Sequence, residues 1–209
     1  MKNKLNIVKY SLVLIYFVGL IGLLNISTRN FFLPLTPWII LLTVAALMLF
    51  HKPLDIKHFS IMTFIALAGF FIEYYGILSG KIFGIYTYGE TLGPKVLETP
   101  LIIGFNWLLL VYCVFITFDF LNIHFVLKSF LGAITMTIYD LNLEPVAIEF
   151  GYWRWFANAI PIQNYIGWFF ISLILLSSLH NFKFKASNPI ASFILVLLFI
   201  YFLILNILI

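Results

Sequence analysis

The sequence predicts an all-α fold: a polytopic membrane helix bundle of about seven transmembrane helices, in a single integral-membrane domain over residues 1–209. The 209 residues are 63% hydrophobic and only 10% charged, whereas soluble domains carry about 25% charged residues. Seven long apolar segments follow one another along the chain. The net charge of +4 comes from basic residues scattered singly over the connections, which is typical of membrane proteins and does not indicate nucleic-acid binding.

The first apolar segment, residues 8–24, follows a charged start, as the apolar core of a signal peptide does. No small-x-small cleavage site comes after it, so we interpret it as a transmembrane helix that stays attached. Since a spanning helix needs about 17–25 residues, we expect the second and fifth segments to extend into their flanks. The six later segments are residues 35–50, 59–78, 101–121, 125–139, 162–179 and 190–209.

The lysines and arginines predict the orientation of the bundle. When the N-terminus is placed in the cytoplasm, eight basic residues fall on that side and four on the other. Cytoplasmic loops carry the excess of Lys and Arg, so the sequence predicts an N-in/C-out topology. The eight are Lys2, Lys4, Lys9, Lys52, Lys57, Lys128, Lys183 and Lys185, and the four are Arg29, Lys81, Lys95 and Arg154.

With this topology, most candidate chemical groups fall at the outer end of the bundle. All five tryptophans and six of the eight acidic residues lie in that half, together with the two long connections, residues 79–100 and 140–161. The four histidines fall at the opposite, inner helix ends, away from the acids. We therefore expect any chemistry at the outer end, and we predict no histidine metal site.

Glu73 lies inside the third apolar segment, where a carboxylate facing lipid would cost about 3 kcal/mol or more. It shares one helical face with the small residues Ala66, Gly69, Gly76 and Gly80. Small residues let neighbouring helices approach closely, so we expect Glu73 to face the bundle as a candidate catalytic group. The alternative is a structural glutamate that bonds to a neighbouring helix or reaches the interface.

Asp140 ends the fifth segment, and Glu144 follows four residues later. Their carboxyls would share a face if the helix continued, but we expect it to stop before Pro145, because the residue before a proline is pushed out of the α region. Two carboxyls close together in an apolar site leave one of them protonated, which makes a general acid. The alternative is a pair of ordinary interfacial acids at a helix end.

Aromatic residues make up 19% of the chain and are dense in residues 152–155. Interfacial belts account for most aromatics in membrane proteins; the functional interpretation is a pocket for a long apolar ligand, or for a cation held over ring faces. Tyr86, Tyr88 and Tyr139 lie on the same side and could donate protons or order water. Asn106, within the fourth segment, either joins two helices or orients a water.

Two stretches, residues 80–107 and 139–168, carry several motifs in a fixed order. The first contains G-x-x-F-G-x-Y-x-Y, then L-G and a proline-led apolar helix with N-W; the second contains D-x-x-x-E-P, G-Y-W-x-W, I-P and N-x-x-G-W. Over roughly residues 66–170 the chain resembles the carotenoid biosynthesis protein family, membrane-integral carotenoid 1,2-hydratases of the γ-carotene 1′,2′-hydratase and bisanhydrobacterioruberin hydratase type. One departure is Glu144, where family members commonly have aspartate.

The resemblance implies a hydro-lyase that adds water across the terminal C1,C2 double bond of an acyclic carotenoid end. Protonation would give a tertiary carbocation that water captures, and we expect neither a cofactor nor a metal. From the chemistry we assign Asp140 as the proton donor, with Glu73 or Glu144 as the partner that orders water. The predicted substrate-binding residues are Tyr86, Tyr88, Asn106, Trp107, Tyr139, Trp153, Trp155 and Asn164.

The expected partners are an acyclic or monocyclic carotenoid, water and membrane lipid, with room for contacts to other carotenoid-pathway enzymes. The expected location is the cytoplasmic (inner) membrane of a prokaryote, as a multi-pass protein. Two alternatives stay open. One is a lycopene-cyclase-like or other terpenoid-transforming enzyme, in which an internal double bond captures the same cation. The other is a non-catalytic carotenoid or lipid carrier or a small transporter, although a transporter would gather its polar groups near the midplane.

Overall fold

The computed structural model describes residues 2–156 and 159–209, and within them the chain forms eight α-helices and four short strands. A 3₁₀ turn, Leu33–Leu35, joins α2 to α3. The helices are α1 Lys2–Leu24, α2 Ile26–Phe32, α3 Thr36–Phe50, α4 Ile56–Ser79, α5 Ile102–Asp119, α6 Phe125–Glu149, α7 Ile162–Asn181 and α8 Ala191–Leu208. The strands are β1 Tyr86–Tyr88, β2 Lys95–Val96, β3 Thr99–Pro100 and β4 Trp153–Trp155.

Six helical stretches in the described part of the chain are long and apolar enough to cross a membrane. They are Asn3–Leu24, Ile26–Phe50, Ile56–Ser79, Ile102–Asp119, Ile162–Asn181 and Ala191–Leu208. The seventh long helix, α6, has 25 residues but carries the two buried acids Asp140 and Glu144. It packs against α5, α7 and α8. The prediction of an all-α, polytopic membrane bundle is confirmed.

Local signals explain where the helices begin and end. The side chain of Asn25 accepts a hydrogen bond from the Ser27 N–H and caps α2. The second apolar segment extends toward its N-terminal flank, as expected, because α2, the 3₁₀ turn and α3 form one stretch. Asp55 caps α4 through the His58 N–H, and α4 ends at Gly80, whose φ of +62° lies in the left-handed region that favours glycine.

The fifth segment was predicted to stop before Pro145, and that prediction is wrong, since α6 continues through the proline to Glu149. A proline inside a helix removes one backbone hydrogen bond and costs about 3 kcal/mol. Tertiary contacts offset this cost: the Glu144 side chain accepts hydrogen bonds from three residues outside α6. Backbone bonds from Phe150 and Tyr152 N–H groups to carbonyls of the last turn then close the helix.

Helix α5 lies at the centre of the bundle and contacts α3, α4, α6, α7 and α8. Its Cys113 is fully buried among apolar side chains, as a core residue. The small residues of α4 allow close packing, because a side chain at Gly69 would collide with Trp107 of α5. This contact turns the Glu73 face of α4 toward the bundle.

The two long connections at the predicted outer end are joined by an antiparallel ribbon, which the sequence did not predict. Strands β1 and β4 pair in register Tyr86 with Trp155, Thr87 with Arg154 and Tyr88 with Trp153. Because side chains alternate along a strand, the four aromatic residues face inward and are buried, whereas Thr87 and Arg154 are exposed. A second small hairpin pairs β2 with β3.

Candidate active site

Three carboxyl side chains from two helices meet around one small cavity under the β1–β4 ribbon. Glu73 comes from α4, and Asp140 and Glu144 come from one face of α6; they are 5%, 0% and 1% exposed. The cavity has about 30 Å³ of free space, room for roughly two water molecules. Burial of three acids in an apolar bundle is costly, so their hydrogen-bond partners decide what each one can do.

Glu73 is held by three donors. Its Oε2 accepts from the hydroxyls of Tyr86 at 2.5 Å and Tyr88 at 2.9 Å, and its Oε1 accepts from Trp107 Nε1 at 2.9 Å. The two tyrosines come from β1 and the tryptophan from α5, so Glu73 joins the ribbon to the bundle core. Several donors on one carboxyl favour its ionised form.

The two ribbon tyrosines remain hydrogen-bond donors at physiological pH. Burial, followed by the nearby charge of Glu73, raises the pKa of Tyr86 and of Tyr88 well above the usual value of 10.0. A phenol with a pKa above this value stays protonated near pH 7. Tyr86 and Tyr88 therefore position Glu73 rather than exchange protons with it.

Glu144 has a matching arrangement from the second strand of the ribbon. Its Oε2 accepts from Trp153 Nε1 at 3.0 Å and Trp155 Nε1 at 2.8 Å, and its Oε1 accepts from Asn164 Nδ2 at 3.1 Å. Each strand thus supplies two inward aromatic donors to one carboxyl. Because side chains alternate along a strand, the first and third residues of Tyr-Thr-Tyr and Trp-Arg-Trp both point inward, where each pair of rings donates to one carboxyl.

Asp140 differs from the other two acids. Its Oδ2 accepts one hydrogen bond, from Asn164 Nδ2 at 2.6 Å, and its fully buried Oδ1 has no partner among the residues described. The same Asn164 amide nitrogen also bonds Glu144, so one residue of α7 holds both α6 carboxyls. An unpaired carboxyl oxygen is a natural place for a proton that is to be given to a ligand.

The cavity walls are aromatic. Trp107 and Trp168 stack with ring centroids 4.4 Å apart and planes at 21°, and Tyr86 packs against Trp155 at 5.0 Å. Asn106 also lines the cavity, and its side-chain amide makes no hydrogen bond to another described residue. Electron-rich rings and a free amide therefore surround the carboxyls.

Ten of the eleven predicted site residues line this cavity. Tyr139 does not: it is buried along a neighbouring apolar cleft, packed edge-on against Phe199 and Phe202. The residues that converge on the cavity are Glu73, Tyr86, Tyr88, Asn106, Trp107, Asp140, Glu144, Trp153, Trp155 and Asn164.

Two further aromatic residues line the cavity and were not predicted to bind substrate, Phe83 and Trp168. Trp168 closes the N-x-x-G-W motif, which was a signal that could have found it. Phe83 packs against Gly76 and Gly167, where an added Cβ would press on its ring. Its spacing from Tyr86 and Tyr88 gave a weaker signal, because Phe83 precedes the strand and does not follow its alternation.

The exposed acid at the end of α6 is not part of the cavity. Glu149 forms an ion pair with Arg29 at 3.0 Å, and Arg29 also lies over the ring of Phe150. Arg154 is also outside the cavity, since its side chain is exposed on the outer face of the ribbon. Over residues 2–156 and 159–209, no group of three or more His, Cys, Asp or Glu side chains is arranged to hold a metal ion.

The comparisons with known proteins give one match. No curated protein and no solved structure matches the chain. The family model described as "Carotenoid biosynthesis protein" matches residues 35–209, which include every residue of the cavity. The chain therefore belongs to the carotenoid biosynthesis protein family.

Proposed function

We propose that the protein is a carotenoid hydratase, which adds water across the terminal C1,C2 double bond of an acyclic carotenoid end. The observation that carries the proposal is the unpaired, buried Oδ1 of Asp140 in a cavity between two carboxyls that each accept three hydrogen bonds. Hydration of an isolated trisubstituted alkene needs a strong proton donor, a protected cation and one water. The cavity contains a group suited to each of these tasks.

The first step is protonation of C2 by Asp140. The donors around Glu73 and Glu144 favour carboxylates at those positions, whereas Asp140 has a single donor, from Asn164. Close carboxyls do not all ionise together in an apolar site, so Asp140 holds the proton. A proton on Oδ1 points to a ligand, because this oxygen has no other described partner.

The second step is stabilisation of the tertiary cation that forms at C1. The faces of Trp153, Trp155 and Tyr88 offer electron-rich surfaces in a water-poor site. The carboxylates of Glu73 and Glu144 add negative charge that is fixed in place before the reaction begins. The cation is therefore stabilised by carboxylates that are already held in place by hydrogen bonds and do not have to move.

The third step is capture of the cation by water. The free space holds roughly two water molecules beside the substrate-free carboxyls. One water forms the C1–O bond and loses its proton to Glu144, with Asn106 orienting it. The proton then returns from Glu144 to Asp140 through a second water in the cavity that both carboxyls line. The balanced reaction consumes one alkene and one water, with no net oxidation.

Two observations favour hydration over cyclisation. Cyclisation requires an internal double bond to fold back onto the cation, and therefore a bulky, apolar space around C1. This cavity instead has a small volume and a free Asn106 amide at its wall. A passive carrier has no need for a buried, unpaired acid, which costs free energy and serves only a ligand or a reaction.

The membrane placement that fits this function is the cytoplasmic membrane of a prokaryote, with the N-in/C-out topology that the basic residues predict. The cavity would then lie toward the outer leaflet. The carotenoid, dissolved in the same membrane, would reach the site without entering water.

The test is expression in a host that makes an acyclic carotenoid such as lycopene, grown in water labelled with heavy oxygen. We expect a new pigment that is heavier by one labelled water for each end that reacts. A product of unchanged mass but altered chromatographic behaviour would support cyclisation instead. Unchanged pigment, with the protein confirmed as folded in the membrane, would contradict the proposed function.

A further inference from the structure

A second cavity, here called the side cleft, lies next to the carboxyl cavity. Helices α1, α3, α5, α6 and α8 line it. It has about 60 Å³ of free space, about twice that of the carboxyl cavity. The proposed hydration steps use none of this space, although Tyr139 was predicted to bind substrate and lies here.

The side cleft and the carboxyl cavity share part of their lining. Ile103, Asn106, Leu143 and Trp153 line both. Asn106 and Ile103 come from α5, Leu143 from α6, and Trp153 from the ribbon, so the shared residues come from three sides. A molecule lying in the side cleft would therefore have its end beside the carboxyls.

The walls of the side cleft are mainly apolar, and two of their tyrosine hydroxyls are paired. Tyr16 bonds Thr43 at 3.0 Å, and Tyr152 bonds Thr36 at 3.1 Å. Tyr201 packs edge-on against Tyr16, with ring centroids 5.0 Å apart. Most of the remaining lining is aliphatic or aromatic, as at Leu23, Ile40 and Leu198, and such a surface suits a long hydrocarbon.

We propose that the side cleft binds the polyene segment next to the reacting end of the carotenoid and so delivers the terminal double bond to Asp140. This inference rests on the proposed function and adds the place where the rest of the substrate lies. The carboxyl cavity alone holds roughly two waters. The long apolar part of the substrate therefore needs a second, connected space.

A second apolar groove, here called the outer groove, serves as the comparison. It lies between α3, α4 and α5 and includes Thr63, Ala66 and Leu67. Within the part of the chain that the structure describes, it shares no lining residue with the carboxyl cavity. We therefore assign the polyene to the side cleft, and a lipid chain would suffice to cover the outer groove.

Gly19 offers a way to fill the side cleft without touching the carboxyl cavity. It lies on α1, and a Cβ there would meet Tyr201 Oη at 3.6 Å and Ile39 Cδ1 at 3.9 Å, both ordinary contacts. Gly19→Ala should therefore be accommodated. The longer side chain of Gly19→Leu would enter the space that the polyene needs.

The experiment compares two substrates that carry the same isopropylidene end, a full-length acyclic carotenoid and an alkene of two isoprene units. For Gly19→Leu we expect kcat/KM for the full-length substrate to fall by about tenfold or more. The short alkene needs only the carboxyl cavity, so its turnover should stay within about twofold of wild type. Gly19→Ala and the outer-groove variant Thr63→Leu are the matched controls and should behave like wild type with both substrates.

Ile39→Phe fills the same cleft from α3 and should reproduce the effect of Gly19→Leu if that variant folds poorly. Pigment that copurifies with each variant gives a readout that does not depend on hydration. Loss of pigment from Gly19→Leu, but not from Thr63→Leu, supports the side cleft even if wild type hydrates nothing. The proposal would be overturned if Gly19→Leu lost turnover equally on the full-length carotenoid and the short alkene, or if Thr63→Leu had the larger effect. Unchanged turnover of the full-length carotenoid by both Gly19→Leu and Ile39→Phe would also overturn it.

Discussion

Buried polar side chains occur at both ends of the bundle, but the two clusters are built differently. At the predicted outer end, Glu73, Asp140 and Glu144 surround free space, and Asp140 Oδ1 has no described partner. At the predicted inner end, His51 and His58 lie with their ring centroids 5.4 Å apart and both pack against Phe184. The acids of the outer cluster surround a small cavity, whereas the rings of the inner cluster pack on one another beside an open groove.

The inner cluster is a chain of hydrogen bonds between separate elements. Asn188 donates its side-chain N–H to Tyr112 Oη at 3.1 Å and to the Leu47 carbonyl at 2.9 Å. The Tyr112 hydroxyl therefore donates its own proton to His51 Nδ1, at 2.7 Å. These bonds join the end of α3, the middle of α5 and the segment before α8, so they stabilise the packing of the helices.

The comparison shows that burial of polar groups does not by itself indicate chemistry. In the inner cluster the bonds run between side chains, backbone carbonyls and the exposed Asp55 carboxylate, and His51 lies beside a wide, open groove. In the outer cluster the donors converge on acids, and the acid with the fewest donors faces free space. The first arrangement is suited to stability and the second to proton transfer.

The largest effect is expected for Asp140→Asn. The amide keeps the shape of the side chain but cannot give a proton, so turnover should fall by about 10³-fold or more. Hydration of lycopene by membranes that contain equal amounts of folded protein measures this. Glu149→Gln is the matched control, since this exposed acid of the same helix pairs with Arg29 outside the cavity and should leave turnover unchanged. Full turnover by a folded Asp140→Asn variant would remove Asp140 from the mechanism.

A smaller and more selective effect is expected for Asn106→Leu. If Asn106 orients the water, hydration should fall by about 10²-fold while protonation by Asp140 continues. The cation would then return to the alkene by losing a proton, so in deuterated water the recovered substrate should gain deuterium at C2. Mass spectrometry of substrate and product measures both outcomes. The control is Asn206→Leu, because the Asn206 amide lies on α8 and bonds Asn142 outside the cavity. If Asn106→Leu lost both hydration and deuterium incorporation, Asn106 would instead serve protonation or folding.

The inner cluster should show the opposite behaviour. Tyr112→Phe leaves Asn188 Nδ2 and His51 Nδ1 each without this partner, so the free energy of unfolding should fall by about 1–3 kcal/mol. Turnover per folded molecule should not change, because Tyr112 does not line the carboxyl cavity. Denaturation in detergent measures the first quantity. Tyr10→Phe, at an exposed position on α1, is the control and should alter neither value.

Much of this contrast could be predicted from the sequence, because it follows from position along apolar segments. The 3- and 4-residue spacing around Glu73 placed its carboxyl inside the bundle, and the basic residues separated the histidines from the acids. The four-residue spacing of Asp140 and Glu144 placed them on one face, once the helix passed Pro145. These features depend on local periodicity, which a sequence displays directly.

The remaining features depend on contacts between distant parts of the chain. The bonds from Asn164 to Asp140 and Glu144 join α7 to α6, and no spacing rule predicts them. The β1–β4 ribbon has three residues in each strand, which is too short for strand periodicity to stand out in an apolar sequence. The residues that the side cleft and the carboxyl cavity share in their linings depend on how five helices and the ribbon pack.

The smallest expected effect concerns pH and the inner cluster. Burial, followed by the nearby His58, lowers the pKa of His51 below its usual 6.5, while the Pro53 carbonyl and Asp55 oppose this shift. His51 therefore has a lower pKa in the folded chain than in the unfolded chain, and between these two values the unfolded chain binds more protons. The contribution of His51 to stability is complete above about pH 6.5 and is lost as the pH falls through the folded-state pKa. Protonation at Nδ1 would also break the bond that Tyr112 donates. His51→Gln keeps an acceptor for Tyr112 but does not titrate, so its unfolding midpoint should fall less than that of wild type between about pH 7 and pH 5; equal slopes would show that other groups cause the acid sensitivity.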